Sequence, residues 1–169
     1  SPIGGREVGI VLEGQRVSVS NTVEARSGQI TLAARGSGTD DAVTLSSGAM
    51  LDARGQSKSF NGTRVLADGG AVAISTAAGR VAVEAGASID VSASEDGGGA
   101  GRVSLRATEL TLAGTLKGQA AAGARSGSAD IDLDALADFS ALNTELNAGG
   151  FAEERRIRLR GGNLSVAAT

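Results

Sequence analysis

The chain of 169 residues has no cysteine, histidine, tryptophan or tyrosine, and it carries a single proline and three phenylalanines. Each absence removes a class of explanation. Without cysteine, neither disulfides nor thiolate-bound metal can hold the fold. Without histidine or the polar aromatics, acid–base chemistry falls to scattered carboxylates, and sugar or base rings find no stacking platform. Net charge is −3 with acids and bases interspersed, so no basic field draws a phosphate backbone and nucleic acid is not an expected partner. No apolar run approaches the ~20 residues that cross a bilayer, so membrane insertion is not expected either. Nothing implies a cofactor. No charged segment leading into an apolar stretch opens the chain at Ser1, so a secretion signal is expected elsewhere or removed.

What is present is glycine, 26 residues of it, and an apolar fraction of 41% built largely from Ala, Val, Leu and Ile. Such side chains suit a thin interior better than a broad one. The phrase GAMLDARG at 48–55 returns as GASIDVSA at 86–93 and, shortened, as GTLKG at 114–118. Glycine followed by alternating apolar residues opens a unit at 27–32 (SGQITL), 69–74 (GGAVAI), 99–105 (GAGRVSL) and 127–133 (GSADIDL). Behind these openings come AVTL (42–45), RVAV (80–83) and ELTL (109–112), and then the repeated phrase. The unit thus has three strands, with Ile30/Leu32, Val43/Leu45, Val72/Ile74, Val81/Val83, Ile89/Val91, Val103/Leu105 and Leu110/Leu112 facing inward at period two. Spacing between units varies through 36–41, 57–64, 94–101 and 119–128, which are read as loops. Stacked repeats vary in that way.

A sandwich or barrel of short strands is the alternative architecture. Sandwich cores bury large aromatics that this chain lacks, and a Greek key does not require units with one internal order. One segment departs from period two. In DALADFSALNTELNAGG, Leu136, Phe139, Leu142 and Leu146 recur at three to four residues, which predicts a helix over 135–148 with Asp134 as N-cap and Gly149 as its stop. Strands resume in RIRLRGGNLSV, with Ile157/Leu159 and Leu164/Val166 inward, so the helix reads as an excursion and not a terminal cap.

GGAVAIST, GASIDVSA, GGGAGRVSLRA, LTLAGTLKG and GGFAEERRIRLRGGNLSV together resemble the repetitive passenger region of filamentous-haemagglutinin-like exoproteins, which Gram-negative bacteria export by two-partner secretion. The likeness runs from about Gly28 to Val166, and IVLEGQRVSVSNTVEA before it is in the same style. It implies an all-β fold, a right-handed parallel β-helix forming one repeat domain over 1–169 as a fragment of a longer chain. It also implies a secreted or cell-surface location, passage through an outer-membrane transporter, and adhesion to a host-cell or bacterial surface ligand. The amino-terminal secretion domain of that family, with its asparagine–proline motif, is not in this sequence. The expected role is a structural shaft without catalysis, any recognition lying in loops and the helix. A carbohydrate-active β-helix enzyme or a non-catalytic polysaccharide-binding module is the alternative.

Four sets of residues are candidates for chemistry. Asp130, Asp132 and Asp134 alternate along one strand, with Asp52 and Asp90 read as outward in their repeats; stacked carboxylates suit Ca²⁺, although the plainer reading is a solvated acidic face. Arg156, Arg158 and Arg160 share one face and suit anionic glycans, against a plainer reading as exposed ion pairs. Asp40, Asp41, Glu95 and Asp96 lie in loops and are the carboxylates an enzyme would have to pair. Asn61-Gly62-Thr63 and Asn163-Leu164-Ser165 match N-glycosylation acceptors, and the family resemblance adds weight to Asn61.

Overall fold

The computed structural model describes residues 8–163. In it the strands follow one another in threes. β1 (Gly9–Gly14), β2 (Val17–Val19) and β3 (Thr22–Glu24) come first, then β4 (Gln29–Ala34), β5 (Asp41–Leu45) and β6 (Met50–Asp52). A hairpin of β7 (Gln56–Phe60) and β8 (Thr63–Ala67) intervenes before β9 (Ala71–Thr76), β10 (Arg80–Val83) and β11 (Ser88–Asp90). Next are β12 (Arg102–Ala107), β13 (Glu109–Leu112) and β14 (Thr115–Lys117), followed by β15 (Ser128–Leu133), helix α1 (Phe139–Ala148) and β16 (Glu154–Leu159). The leading strands pair as a six-stranded sheet in the order β1-β4-β9-β12-β15-β16, while the second and third members form two separate four-stranded sheets. Every pairing in these three sheets is parallel, and the hairpin is antiparallel.

Register explains why the repeated phrase is repeated. Ser88, Ile89 and Asp90 lie beside Met50, Leu51 and Asp52 on one side and Thr115, Leu116 and Lys117 on the other. In the six-stranded sheet Leu12, Leu32, Ile74, Leu105, Ile131 and Ile157 form one inward column. Residues of all three sheets meet in a single apolar cluster, with Ile30, Leu32, Val43, Leu45, Leu51, Val81, Val83 and Ile89 fully buried. Leu110 and Leu112 are only half-buried, because β13 ends its sheet among the described residues. The expected inward pair Leu164/Val166 lies outside the described residues.

The helix begins later than the spacing predicts. Asp138, not Asp134, is the N-cap, its Oδ1 accepting the Ala141 N–H at 2.9 Å. The N–H groups of Asp134 and Ala135 are instead held by the Thr108 carbonyl at 3.0 and 3.1 Å, which keeps this stretch against β12 and delays the helix. Gly149 is the stop, as expected. Leu142 and Leu146 are buried, and Glu145 accepts the Leu116 N–H of β14 at 3.3 Å, so α1 lies along the edge of the third sheet. Among the described residues only the six-stranded sheet has a strand after it, β16. The helix therefore covers the β14 edge of the third sheet, while β16 adds a strand to the first. Phe151 is fully buried beside it, in a cradle where a Cβ on Gly118, Gly127 or Gly149 would press on its ring at 2.7 to 3.1 Å.

The segment at 57–64, read as a loop, is most of the hairpin. Asn61 and Gly62 have φ of 48° and 80° and form a two-residue turn between Phe60 and Thr63, which pair directly. Positive φ at both central residues matches the twist of the strands, and Asn-Gly is the dipeptide that adopts it most readily. At the start of the six-stranded sheet, glycines 28, 70 and 101 stack so closely that a Cβ on Gly70 would overlap the Gly28 oxygen, and one on Gly101 the Gly70 oxygen. Gly101→Ala is therefore expected to cost more than about 2 kcal/mol. Gly38→Ala, with nothing within 4 Å of its Cβ, should stay within about 0.5 kcal/mol. Urea melts of the two variants provide the check; equal midpoints would mean the glycine column is not a steric requirement.

Candidate functional site

The corner leading from the third sheet to the first holds the most highly coordinated polar groups. Expected to face outward, Asp52 and Asp90 are instead 1% and 5% exposed. The alternation fails here because the chain is turning. Each aspartate reaches over the bend and accepts the N–H two residues on, Asp52 from Arg54 at 3.1 Å and Asp90 from Ser92 at 2.9 Å. Asp52 also accepts from Arg54 Nε at 2.9 Å and Nη2 at 2.8 Å, a two-pronged pair, with Arg26 Nε at 3.1 Å on the same carboxylate. The buried Arg26 N–H is not aligned on it, so that contact is one of charge without a hydrogen bond. Arg54 stands 3.9 Å from Asp90 as well.

Burial is the largest influence on the Asp52 carboxyl and opposes its charge. The side-chain and backbone hydrogen bonds from Arg54, with the charges of Arg26 and Arg54, outweigh it and hold the group below its ordinary value of 3.8. The hydrogen bond to Asp52 raises Arg54 in turn. A carboxylate so held is ionised at neutral pH with its lone pairs engaged, which suits it to fixing the corner and not to moving protons.

On the outer face of the first sheet, Asp130 and Asp132 lie directly beside Arg156 and Arg158. Arg160 reaches Asp132 at 2.8 Å, Asp134 at 3.1 Å and the Ala107 carbonyl at 3.1 Å, while Arg156 pairs with Glu154 at 3.3 Å. The acidic strand and the basic strand, two separate candidates in the sequence, are thus neighbours, and Arg160 is the counter-ion of Asp132 and Asp134. Among the described residues no three acidic side chains converge as a metal site would need.

The loop carboxylates are not brought together. Asp40 pairs with Arg16 at 3.4 Å in the connection from the first sheet to the second, and Asp41, the first residue of β5, pairs with Arg80 at 3.0 Å. Asp96 pairs with Arg64 at 3.1 Å and with the Ser57 hydroxyl, and Glu95 stands exposed beside it, in the connection from the third sheet to the first. Asn61 is exposed at the hairpin tip next to Phe60, which is 43% exposed. Asn163 is exposed, but the rest of its acceptor motif lies outside the described residues.

Two open troughs flank the first sheet, one of about 510 Å³ over Gly28, Gly70 and Gly101 with Arg102, Arg125 and Glu154 at its sides. The other, of about 350 Å³, is bordered by Arg35, Arg106, Arg160 and Asp134. Neither has an aromatic wall. Among the described residues no helix is long and apolar enough to cross a membrane. Sequence reasoning missed the corner arginines and the hairpin. The D-x-R and D-x-S spacing in the repeated phrase and the Asn-Gly dipeptide were the signals for them.

Comparison with protein-family models, with curated proteins and with solved structures finds no match. The Asp52 corner nevertheless makes a definite prediction. A carboxyl depressed on folding stabilises fully above 3.8, and that contribution fades as pH falls through its lower folded value. Asp52→Asn should cost about 1–3 kcal/mol at neutral pH and flatten the acid limb of the stability curve below about pH 4. A wild-type acid limb unchanged by the substitution, in denaturant melts from pH 7 to pH 2, would count against the assignment.

Proposed function

We propose that the chain is a run of right-handed parallel β-helix and serves as a structural shaft in a secreted or surface-exposed bacterial adhesin exported by two-partner secretion. The observation that carries this reading is the register. Successive occurrences of each strand lie residue beside residue in parallel, and the chain visits three sheets in one fixed order around a shared core. A three-sided coil of ~4.8 Å rise gives every interior strand two neighbours and joins the cores of successive units. Support for the shaft role comes from where the side chains are used: aliphatics in burial, glycines and Asp52-type corners in bending, and outer charges largely in mutual pairs.

The chain is read as non-catalytic, since Asp40 and Asp41 are each engaged by an arginine and lie at the entry to β5, whereas Glu95 and Asp96 lie between β11 and β12. Any adhesive recognition belongs to the protruding hairpin or to other parts of a longer protein, and an outer-membrane transporter is the export partner on this reading.

Repeat modularity is the test. Deleting residues 29–70 removes one set of three strands with the hairpin and joins Gly28 to Ala71, so β1 meets β9 in the columns β4 had occupied. The variant should keep a strand-dominated circular dichroism spectrum and a cooperative melt. Deleting 29–47, which removes β4 and β5 but leaves β6, should abolish both. If both deletions behave alike, the coil reading fails. Binding of the intact chain to cells or glycans should be no tighter than roughly millimolar, about −4 kcal/mol, and submicromolar binding would favour the polysaccharide-binding alternative.

A further inference from the structure

The hairpin of β7 and β8 stands apart from the three parallel sheets and pairs with none of them. It is held at its base, where the Ser27 hydroxyl accepts the Gln56 N–H at 3.1 Å and donates to the Ala67 carbonyl at 3.3 Å. On one face it is held by the turn at 94–98, where Asp96 meets Ser57 and Arg64. Ser27 belongs to the connection before β4 and Asp96 to the connection before β12. The faces of the hairpin therefore look along the direction in which successive strands are laid down, and its two edges look sideways. A strand added before β1 or after β16 would extend the sheets in that direction and meet neither edge.

The two edges differ in sequence. β7 reads QSKSF, with Lys58 at its centre, and a lysine there keeps an edge strand from pairing further. β8 reads TRVLA, without lysine, proline or glycine, and runs without a bulge. Its Val65 and Leu66 are 42% and 41% exposed, close to the figure for Phe60 across the turn. In a two-residue hairpin the pair flanking the turn exchanges hydrogen bonds, and so does every second pair from it. Phe60 and Thr63 flank this turn, so the N–H and C=O groups of Thr63 and Val65 point towards β7. Those of Arg64 and Leu66 point out along the other edge, where no strand among the described residues pairs with them.

We infer that the β8 edge is a self-association surface on which a second copy of the chain docks, β8 against β8 in antiparallel, about a two-fold axis at Val65. The product is a four-stranded sheet in the order β7-β8-β8-β7, and two strands more are what a marginal hairpin lacks. Arg64 exchanges backbone hydrogen bonds with Leu66 of the second copy, and Leu66 with its Arg64, so every outward group of both residues is used. Val65 meets Val65 on the axis and Thr63 lies opposite Ala67, which puts both valines and both Phe60 rings on one side of the sheet. Each Arg64 faces a leucine and keeps its own Asp96, so no like charges stand directly opposite. The alternatives are worse. Pairing β7 on β7 about its centre would oppose Lys58 to Lys58, and an axis at Arg64 would oppose two guanidinium groups. An axis at Leu66 would set Thr63 against Gly69, where a Cβ would already stand 2.0 Å from the Val91 oxygen. A slip by one residue would exchange the faces. Because the edges look sideways, the two copies lie side by side and the association closes at two. The contact is small, so it is weak and reversible. It rests on the hairpin alone and not on the coil reading.

Sedimentation equilibrium and amide hydrogen exchange on the intact chain test it. The wild type should pass from monomer to dimer across roughly 100 µM. Over that range exchange at the Arg64 and Leu66 amides should slow, while exchange at Ser57 and Ser59 on the β7 edge stays unchanged. Val65→Lys, which sets two ammonium groups opposite each other on the axis, should weaken the dimer roughly tenfold or more with an unchanged melting temperature. Thr111→Lys, the same charge at an exposed position of the second sheet, should leave the dimer intact. A wild type monomeric up to about 1 mM, a dimer that survives Val65→Lys, one lost in Thr111→Lys, or assemblies that grow beyond two copies would each overturn the inference. So would protection that falls on Ser57 and Ser59 instead, and this exchange pattern decides even if Val65→Lys proves less stable. None of these outcomes alters what the deletion variants say about the coil.

Discussion

Parallel register is the constraint on which everything else rests. In these sheets the neighbour of a residue is its counterpart in the next set of strands, at ~4.8 Å. Whatever stands at one position therefore has to tolerate a similar residue above and below. Aliphatic columns tolerate it best, which is why Leu12, Leu32, Ile74, Leu105, Ile131 and Ile157 line up without a break. Glycine columns tolerate it where the backbones nearly touch, as at 28, 70 and 101. A column of like charges does not tolerate it unaided. Glu24, Asp52 and Asp90 are consecutive neighbours, and two residues along the chain Arg26 and Arg54 insert their guanidinium groups between them. Breaking such a buried pair by removing the cations would leave acids crowded in a low-dielectric corner.

The same constraint decided what the sequence could reveal. A residue pattern that must match itself from set to set is visible as repetition, so the strands, their order within the unit and most of the inward residues were legible from GAMLDARG, GASIDVSA and their companions. Burial of Asp52 and Asp90 was not legible from alternation, because alternation holds along a strand and these residues stand where the strand ends. Nor was the neighbourhood of Asp130 and Arg156 legible, since it depends on α1 occupying the space between β15 and β16 in sequence while leaving them adjacent in the sheet. Spacing gave the helix and its stop, but not its start, because the Thr108 carbonyl competes for the first N–H groups.

The segment after β15 is where repetition gives way to a different solution. Among the described residues β13 and β14 are the last members of the second and third sheets, and β14 would otherwise expose an apolar edge. An amphipathic helix covers the third sheet with Leu142 and Leu146, and Phe151, the one fully buried aromatic among the described residues, fills the remaining space between glycines. A large ring is tolerated there for the reason it is excluded elsewhere: it has no counterpart stacked on it that must also be large. Arg155 then binds helix to strand at a position where the other strands of the sheet carry an aliphatic residue.

Function in such an architecture is limited to what register leaves free. Inward columns are committed to burial and corner columns to bending, so variation without cost is confined to outward rows and to insertions between strands. On the first sheet the outward rows pass from small residues such as Ala71, Ala73 and Ser104 to the charged residues of β15 and β16, where Asp132 is held by Arg160 and Arg156 by Glu154. The hairpin is different. Its side bearing Ser57, Arg64 and Leu66 rests on the turn at 94–98 through Asp96 and Gly97, which leaves Lys58, Phe60 and Val65 on the other side. It therefore presents side chains that no column governs, on a rigid Asn-Gly turn that keeps the entropy of presenting them low. A partner-binding residue acquired by such a fold would disturb its strand register least at that place.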